Sequence, residues 1–388
     1  MRVKQLLQLI PDGQLEMLGA ESKVDYQVKK LTGKSVFQLI LLSMINNERA
    51  SLRVMESVFH SMQFRLVSGT EGLETKYNSI RDRIATINPD YFEKIFLFLF
   101  DHFNKLLKEE HSIIRYDSTM VAVSSRLVEW GMKVGVKNKG SGIDKVQLKY
   151  TMATKGSLPC HVEIFDDQQS LSEDKTIPFA IFNDKHSKNN IVVFDRGVQK
   201  RKTFKKLLDT SRLFVTRINT DVRYHSIREL SFDSSDINSS VSVQAHLIVQ
   251  LQDAKSKRIK THFRLIKATI KESGEVIYFL TNITDLSPYE IAAIYKQRWD
   301  IEPFFKFLKQ HLNLTHLVSR NINGIRVMIY MTLILAILLI VYKKLNKISG
   351  YKIAKLRFTL ELDEEVMKQV AIQCGGDPDK IKKLFNDP

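Results

Sequence analysis

Four side chains in one stretch of the chain have types and a spacing that could do chemistry together: Tyr295, Arg298, Glu302 and Lys309. On an α-helix, at about 100° per residue, all four lie within an arc of about 60°. One carboxylate beside two cations and a phenol makes a poor core stripe, but it suits a metal ligand next to side chains that bind phosphate. The alternative is a solvated face with salt bridges, since Arg298 and Glu302 are also an i,i+4 pair.

The sequence predicts one helix that carries these four residues. Ser287 is a suitable N-cap, Pro288 fits the first helical position, and Glu290 follows three residues after the cap. Apolar residues further along form a stripe that would pack on a core, and the charged face lies beside that stripe. Pro303 lacks a backbone donor and therefore predicts a kink beside Glu302.

The composition indicates a folded chain with a strong excess of positive charge. The chain has 388 residues, 44% of them hydrophobic and 22 of them Phe, so we expect two or three folding units. Its formal charge of +16 points to a polyanionic partner. Cys160 and Cys374 form neither a zinc signature nor a disulfide framework, and no signal-peptide pattern follows Met1. We therefore expect a protein of the reducing cytoplasm.

The positive charge is concentrated around and after the helix that carries Glu302. Residues 196–285 have 17 basic and 9 acidic side chains, and residues 286–388 have 16 and 10. The first 195 residues are nearly neutral, with 26 basic and 24 acidic side chains. Basic surface close to a possible catalytic carboxylate suggests that the polyanion is the substrate.

One apolar segment resembles a membrane span but is too short for one. Val327 to Tyr342 is a run of 16 residues without a charge, whereas a bilayer needs roughly 20. We expect a fully buried helix and no membrane partner.

The periodicity of the remaining chain predicts a helical region, then alternating strands and helices, then a β-rich stretch. Residues 1–110 have helical periodicity. Asp117 is expected within or at the end of a first strand, and Asp195 directly follows the apolar run Ile191–Phe194. Between residues 219 and 285 the pattern is β throughout, with a clear period of two from Val241 to Leu251.

Two aspartates at strand ends and one glutamate on a covering helix could hold two divalent ions. Each of Asp117 and Asp195 alone is also compatible with an ordinary strand end or turn. Together with Glu302 they form a set of hard oxygen ligands of the kind that Mg²⁺ prefers. Two such ions about 4 Å apart stabilise the attacking and the leaving oxygen of a phosphoryl transfer.

These motifs resemble those of bacterial insertion-sequence transposases of the DDE type, in the class marked by Y-x2-R-x3-E-x6-K (the IS-four family). Residues 115–119 (RYDST) match the surroundings of the first aspartate, and residues 193–197 (VFDRG) match those of the second. The helix signature matches at every spacing. The resemblance covers about residues 115–345 well and the N-terminal region only loosely.

The resemblance implies an α/β fold with an RNase H-like core, an inserted antiparallel β subdomain and an N-terminal α-helical region. The expected division is 1–110 for the helical region, 111–218 and 286–345 for the core, 219–285 for the β subdomain, and 346–388 for a C-terminal region with possible dimer contacts. We expect the β subdomain to stand off the core sheet. The buried apolar helix would close the core.

The resemblance also implies an activity, with roles for named residues. Asp117, Asp195 and Glu302 would be the catalytic residues and ligands of Mg²⁺, for which Mn²⁺ would substitute. Tyr295, Arg298 and Lys309 would bind phosphates of the transposon end, with Lys306 as a further contact. Trp299 would stack on a displaced base, although a packing role is equally compatible with the sequence.

The implied reaction is cut-and-paste transposition through hairpin DNA ends. The implied partners are double-stranded DNA, both the terminal inverted repeats and the target, and a second copy of the chain in a synaptic dimer. No nucleotide cofactor is expected, because the sequence has no phosphate-binding loop of the form G-x4-GK[ST]. Two alternatives stay open: another RNase H-like nuclease, and an inactive DNA-binding relative.

Overall fold

The computed structural model describes residues 3, 10–70, 72–107, 112–122, 131–133, 146–233, 240–252, 260–316 and 318–384. The chain forms two compact units: Met1–Lys108 with Lys306–Pro388, and Glu109–Phe305. In the described residues the first unit is helical, and the second contains a large sheet with helices packed on it. The predicted mixed α/β class is confirmed.

The described chain begins with helices α1 (Asp12–Glu21), α2 (Gly33–Asn46), α3 (Leu52–Phe59), α4 (Met62–Ser68), α5 (Tyr77–Thr86) and α6 (Asp90–Leu106). The middle of the chain contains β1 (Ile113–Ala122), β2 (Met132–Lys133), β3 (Val146–Lys155), β4 (Leu158–Phe165), α7 (Glu173–Asn183), β5 (Ile191–Phe194), α8 (Arg201–Asp209), β6 (Phe214–Ile218), β7 (Tyr224–Glu229), β8 (Val241–Leu251), β9 (Phe263–Ile270) and β10 (Val276–Thr281). The last helices are α9 (Pro288–Lys296), α10 (Ile301–His311), α11 (Ile322–Leu345), α12 (Tyr351–Gln373) and α13 (Pro378–Leu384).

Helix α11 contains the apolar segment, and the prediction that this segment is buried is confirmed. Every residue from Val327 to Tyr342 is buried. Within the described residues, α11 is the one helix long and apolar enough to cross a membrane, and most of it is enclosed by protein. Its packing partners are α6, α5, α2 and α12 of the first unit. The domain division expected from the resemblance put this segment in the catalytic core, whereas it lies in the first unit. A helix that is apolar all round needs neighbours on every side, and the helices of the first unit supply them.

Five strands of the sheet, β1, β3, β4, β5 and β6, follow the predicted order with the helices between them. β1, β3 and β4 form an antiparallel meander, α7 follows, and β5 then pairs with β1 in parallel. After α8, β6 pairs in parallel with β5. Parallel neighbours place the carboxyl ends of β1 and β5 at the same edge of the sheet, which is where ligands bind in open α/β sheets.

The β-rich stretch is antiparallel, as predicted, but it continues the same sheet. The strand order along the sheet is β2-β3-β1-β5-β6-β10-β9-β8-β7, with β4 beside β3. Strand β10 pairs with β6 over Tyr278 to Thr281, so the prediction that this stretch stands off the core sheet is wrong. The pairing with β10 covers the backbone groups of β6 that would otherwise form an open edge. Alternating residues predict a strand, but they do not predict which strand it pairs with.

The helix that was predicted to carry the chemistry is divided into two. Ser287 and Glu290 form the predicted capping box at the start of α9. A 3₁₀ turn at Gln297–Asp300 then separates α9 from α10. Pro303 lies in the first turn of α10, where a missing backbone donor costs little, and it cannot continue the ladder to the carbonyl of Trp299. The break therefore precedes Glu302, whereas the sequence predicted a kink within a single helix.

Candidate active site

Asp117 lies on β1. This strand pairs directly with β5, the strand that ends just before Asp195. The backbone N–H of Ser118 donates to Asp117 Oδ1 at 2.8 Å, which fixes one carboxylate oxygen and leaves Oδ2 for other partners. The Asp117 side chain is 17% exposed, so the acid is largely removed from water without being sealed in the core.

Asp195 is the first residue after β5, at the start of the turn that leads to α8. Thr216 Oγ1 donates to the carbonyl of Phe194 at 2.9 Å, which ties this turn to β6. The Tyr295 hydroxyl donates to Asp195 Oδ1 at 3.0 Å. Tyr295 itself is buried against Phe279 of β10, with ring centroids 5.3 Å apart. Helix α9 is therefore held on the sheet where its tyrosine meets the second aspartate.

Arg298 connects the other two predicted acids. Its Nη1 lies 3.4 Å from Asp117 Oδ2, and its Nη2 lies 3.2 Å from Glu302 Oε1. The arginine is 5% exposed, whereas the Glu302 side chain is 49% exposed. The i,i+4 pair that the sequence indicated is present, and its arginine is buried and also contacts Asp117.

A buried arginine that the sequence analysis did not single out positions the 3₁₀ turn. Arg115 lies two residues before Asp117 and is 3% exposed. Its Nη1 donates to the Gly156 carbonyl at 2.8 Å, and its Nη2 lies 3.2 Å from both Gln297 Oε1 and Asp300 Oδ2. The turn that carries Arg298 is thus bound to the strand that carries Asp117. The only signal in the sequence is that residues 115 and 117 point to the same side of a strand.

The three remaining predicted residues lie on the surface. Trp299 is 53% exposed, and the Arg298 guanidinium lies 4.8 Å from its ring centroid. This exposure argues against a core-packing role for Trp299 and leaves a face on which a base could stack. Lys306 and Lys309 are exposed on α10 and belong to the first unit, so their roles stay predictions.

The electrostatics of the site reflect burial of several acids together. Burial raises the pKa of Asp117 to about 6; Ser118 and Arg298 oppose the shift, while Glu173 and Asp195 add to it. Burial, and the neighbouring Asp195, raise the pKa of Tyr295, so its hydroxyl stays a donor. For Arg298, burial lowers the pKa, but Tyr295 and the surrounding acids outweigh it and the net shift is upward.

The donor set fits a hard divalent cation in its chemistry. Three carboxylates provide oxygen ligands of the kind that Mg²⁺ takes. In the described part of the chain, no three His, Cys, Asp or Glu side chains are arranged to hold a metal ion, and Asp117 and Glu302 both contact Arg298. Those contacts, at 3.4 and 3.2 Å, are longer than the 2.7–2.9 Å of strong charge-assisted hydrogen bonds. A cation that competes for these oxygens therefore displaces weak contacts.

Comparison with known proteins defines the class. Residues 108–339 match the family model described as Transposase DDE domain, and this range contains Asp117, Asp195 and Glu302. The match covers more than half of the chain, so the chain belongs to the DDE transposase family.

Similar proteins carry the names of insertion-sequence transposases. The chain is 28% identical over 252 residues to a protein of Synechocystis sp. named provisionally as the transposase of insertion sequence element IS4SA, covering 64% of this chain and 65% of that protein. It is 27% identical over 227 residues to a protein of Geobacillus stearothermophilus named as the probable transposase of insertion sequence element IS5377, covering 58% and 54%. The matched segment spans less than two thirds of each relative.

Among solved structures, the chain is similar to the piggyBac transposase of a synaptic complex with hairpin DNA. The alignment covers 100% of this chain and 85% of that one, with a TM-score of 0.44 and 12% identity. A TM-score at this level does not establish a common fold.

Proposed function

We propose that the chain is the transposase of a bacterial insertion sequence and cuts and rejoins phosphodiesters at the ends of the element in the cytoplasm. The observation that carries this proposal is the contact network of the second unit. One arginine contacts Asp117 and Glu302, and one tyrosine contacts Asp195. The three acids were predicted from separate parts of the sequence, and the same two side chains of the helix signature link them at one edge of the sheet.

Asp117, Asp195 and Glu302 would hold the divalent cations, Mg²⁺ or in its place Mn²⁺. When bound, such ions stabilise the charge on the attacking and leaving oxygens of a phosphoryl transfer. Asp117 is largely shielded from water, which strengthens its interaction with a cation. Tyr295 stays protonated and keeps Asp195 in one orientation.

Arg298 is suited to bind a phosphate of the substrate as well as the acids. Its Nε is buried and has no hydrogen-bond partner among the described residues, and its two Nη contacts are long. A guanidinium has five donors in a planar fork that matches phosphate. Lys306 and Lys309 would add charge contacts to the backbone, and the exposed Trp299 would stack on a base displaced from the duplex.

We further propose that β1, β3, β4, β5 and β6 with their helices are an RNase H-like core. The support is the order: an antiparallel meander, a helix, and two parallel strands joined by a helix. The β-rich residues 219–285 extend this core, residues 1–110 would help to recognise the inverted repeats, and residues 346–388 would contribute to a synaptic dimer on DNA. Transposition through hairpin ends is part of the same proposal.

Glu302→Gln tests the proposed chemistry, because it removes a charge and keeps the shape of the side chain. We expect the variant to lose strand cleavage by about a hundredfold or more in Mg²⁺ and to bind DNA nearly as well as the wild type. The substrate is a linear duplex that contains the DNA flanking this reading frame, and cleavage is followed on denaturing gels. Glu272→Gln, in the exposed hairpin turn between β9 and β10, is the matched control. Cleavage by Glu302→Gln at the control rate would refute the assignment.

A further inference from the structure

Helix α12 has an apolar stripe opposite the face that packs on its own unit. The packed face buries Ala354, Phe358 and Leu362, and the Phe358 ring centroid lies 5.3 Å from that of Tyr342 on α11. Four large apolar residues of the same helix, called the α12 stripe below, are about half exposed: Ile353 (45%), Leu356 (54%), Leu360 (54%) and Met367 (53%). At about 100° per residue they lie within an arc of about 60°, nearly opposite the buried face.

The spacing of the α12 stripe is that of a coiled-coil seam. Steps of three, four and seven residues separate its members, and the partly exposed Val370 continues the pattern. Such a seam packs best against a second helix, because the side chains of one helix fill the holes between those of the other. Asp363 lies at the edge of the stripe, where its Oδ1 accepts a hydrogen bond from Gln63 Nε2 at 3.3 Å. A face that meets only water would instead carry polar residues at the seam positions.

The charges beside the stripe change sign along the helix. Residues 352–357 include three basic side chains and no acid, whereas residues 361–365 include four acids and no base. Two copies of α12 packed in parallel would place like charges together. In an antiparallel pair, the basic part of each helix meets the acidic part of the other, and a two-fold axis relates the two contacts. The helix is therefore complementary to a second copy of itself.

One cation and one acid on the same side of the stripe are suited to such a contact. Arg357 is exposed and Glu364 is partly exposed, and neither forms an ion pair among the described residues. They lie three residues before and four residues after Leu360. A two-fold axis close to Leu360 would therefore place Arg357 of each copy opposite Glu364 of the other.

We infer that α12 is a dimerisation helix, and that its stripe packs in antiparallel orientation against the stripe of a second copy of the chain in the absence of DNA. The half-exposed apolar residues, their heptad spacing and the reversal of charge carry this inference. Helix α12 is already held in place by its buried face, so pairing does not have to fold it. The inference deepens the proposed function and rests on it for the role of the dimer, which is to hold the two ends of the element.

The test measures the oligomeric state of the full chain by sedimentation equilibrium, without DNA. We expect the wild type to dimerise. Leu360→Glu buries a charge at the centre of the seam in both copies, and it should weaken dimerisation by about a hundredfold or more. The matched control is Ile372→Glu on the same helix: Ile372 is also 45% exposed, but it lies about 130° from the centre of the stripe. This control should dimerise as the wild type does.

A charge exchange tests the orientation and the identity of the partner. Arg357→Glu and Glu364→Arg should each weaken dimerisation by roughly tenfold, because like charges then meet twice in each dimer. The double variant with both changes should recover most of the wild-type affinity. Two changes within one chain restore the contact only if the partner is a second, antiparallel copy.

The outcomes separate this inference from the proposed function. A monomeric wild type that still cleaves DNA overturns the inference and leaves the proposed chemistry intact. Equal dimerisation of Leu360→Glu and the wild type also overturns it, and absence of recovery in the double variant overturns the antiparallel contact. A wild type that dimerises through α12 but does not cleave DNA contradicts the proposed function alone. Should Leu360→Glu not fold, the charge exchange at Arg357 and Glu364 decides.

Discussion

Two buried arginines of the second unit, Arg264 on β9 and Arg298 at the active-site edge, have similar exposure and opposite surroundings. Arg264 is 4% exposed and Arg298 is 5% exposed. Arg264 donates to the Ile283 carbonyl at 2.6 Å, to the Leu286 carbonyl at 2.7 Å and to His246 Nε2 at 3.0 Å. Its Nε, Nη1 and Nη2 atoms therefore all donate short hydrogen bonds to neutral acceptors.

Arg298 has two long contacts to acids, and its Nε has no hydrogen-bond partner among the described residues. The long contacts to acids distinguish Arg298; an unpartnered Nε alone does not, because the buried Nε of Arg115 also has no hydrogen-bond partner among the described residues. Buried donors are normally satisfied, and Arg264 follows that rule. Arg298 does not, and its acceptors are acids that can bind a cation in its place. Under the proposed function, a phosphate of the substrate and the metal ions would replace these long contacts of Arg298.

The largest effect is expected from removal of Arg298, the arginine at the active-site edge. Arg298→Ala should leave first-strand nicking measurable and reduce hairpin formation by about a hundredfold or more, the order of effect that loss of one preorganised donor has. In the proposed mechanism, bending the strand into a hairpin needs a group that holds the displaced phosphate, and Arg298, beside Glu302, would supply it. Denaturing gels that resolve nicked and hairpin species measure both steps. Double-strand breaks with no hairpin species at any time in the wild-type reaction would contradict this mechanism.

Arg264→Met should instead reduce stability and leave the chemistry of the folded protein intact. The change leaves the buried Ile283 carbonyl, the partly buried Leu286 carbonyl and His246 without a donor, and each buried unsatisfied group costs about 1–3 kcal/mol. We expect a loss of about 3 kcal/mol or more in the free energy of unfolding, measured by urea denaturation. Arg217→Met is the matched control on β6, because its ion pair with Glu275 is partly exposed and such pairs contribute about 1 kcal/mol or less. Equal losses in the two variants would show that the Arg264 contacts are not special.

The sequence predicted the parts of this structure that depend on local chemistry. The capping box at Ser287, the burial of Val327–Tyr342 and the strand from Val241 to Leu251 all follow from propensity and periodicity. The pairing of β10 with β6 could not be predicted, because alternation is the same whichever strand lies alongside. The assignment of α11 to the first unit depends likewise on tertiary packing.

The site shows the same limit at the level of single residues. Tyr295, Arg298 and Glu302 could be grouped because they share one helical segment, and the structure brings Arg298 and Tyr295 to all three predicted acids. The role of Arg115 could not be predicted, because its contacts with Gln297 and Asp300 join a strand to a turn far along the chain.

The smallest expected effect concerns the pH dependence of the Arg264 cluster. Burial, and then the charge of Arg264, lower the pKa of His246 from 6.5 to about 4. The folded state thus prefers the neutral imidazole, which accepts the hydrogen bond from Arg264 Nε at 3.0 Å. Because the pKa is lower in the folded state, this contribution to stability is fully present above pH 6.5 and is lost as the pH falls towards 4.

His246→Gln keeps an acceptor and removes the titration, so it sharpens the comparison between the two arginines. Between pH 7 and pH 4.5 we expect the wild type to lose more stability than His246→Gln, with the two curves converging as the pH falls. Urea denaturation of both proteins at several pH values measures the difference between their free energies of unfolding. The contributions of other titrating groups cancel in that difference. Parallel curves would mean that His246 titrates alike in the folded and unfolded chains. The neutral acceptor for Arg264 would then be incorrectly assigned, and with it the contrast to the charged acceptors of Arg298.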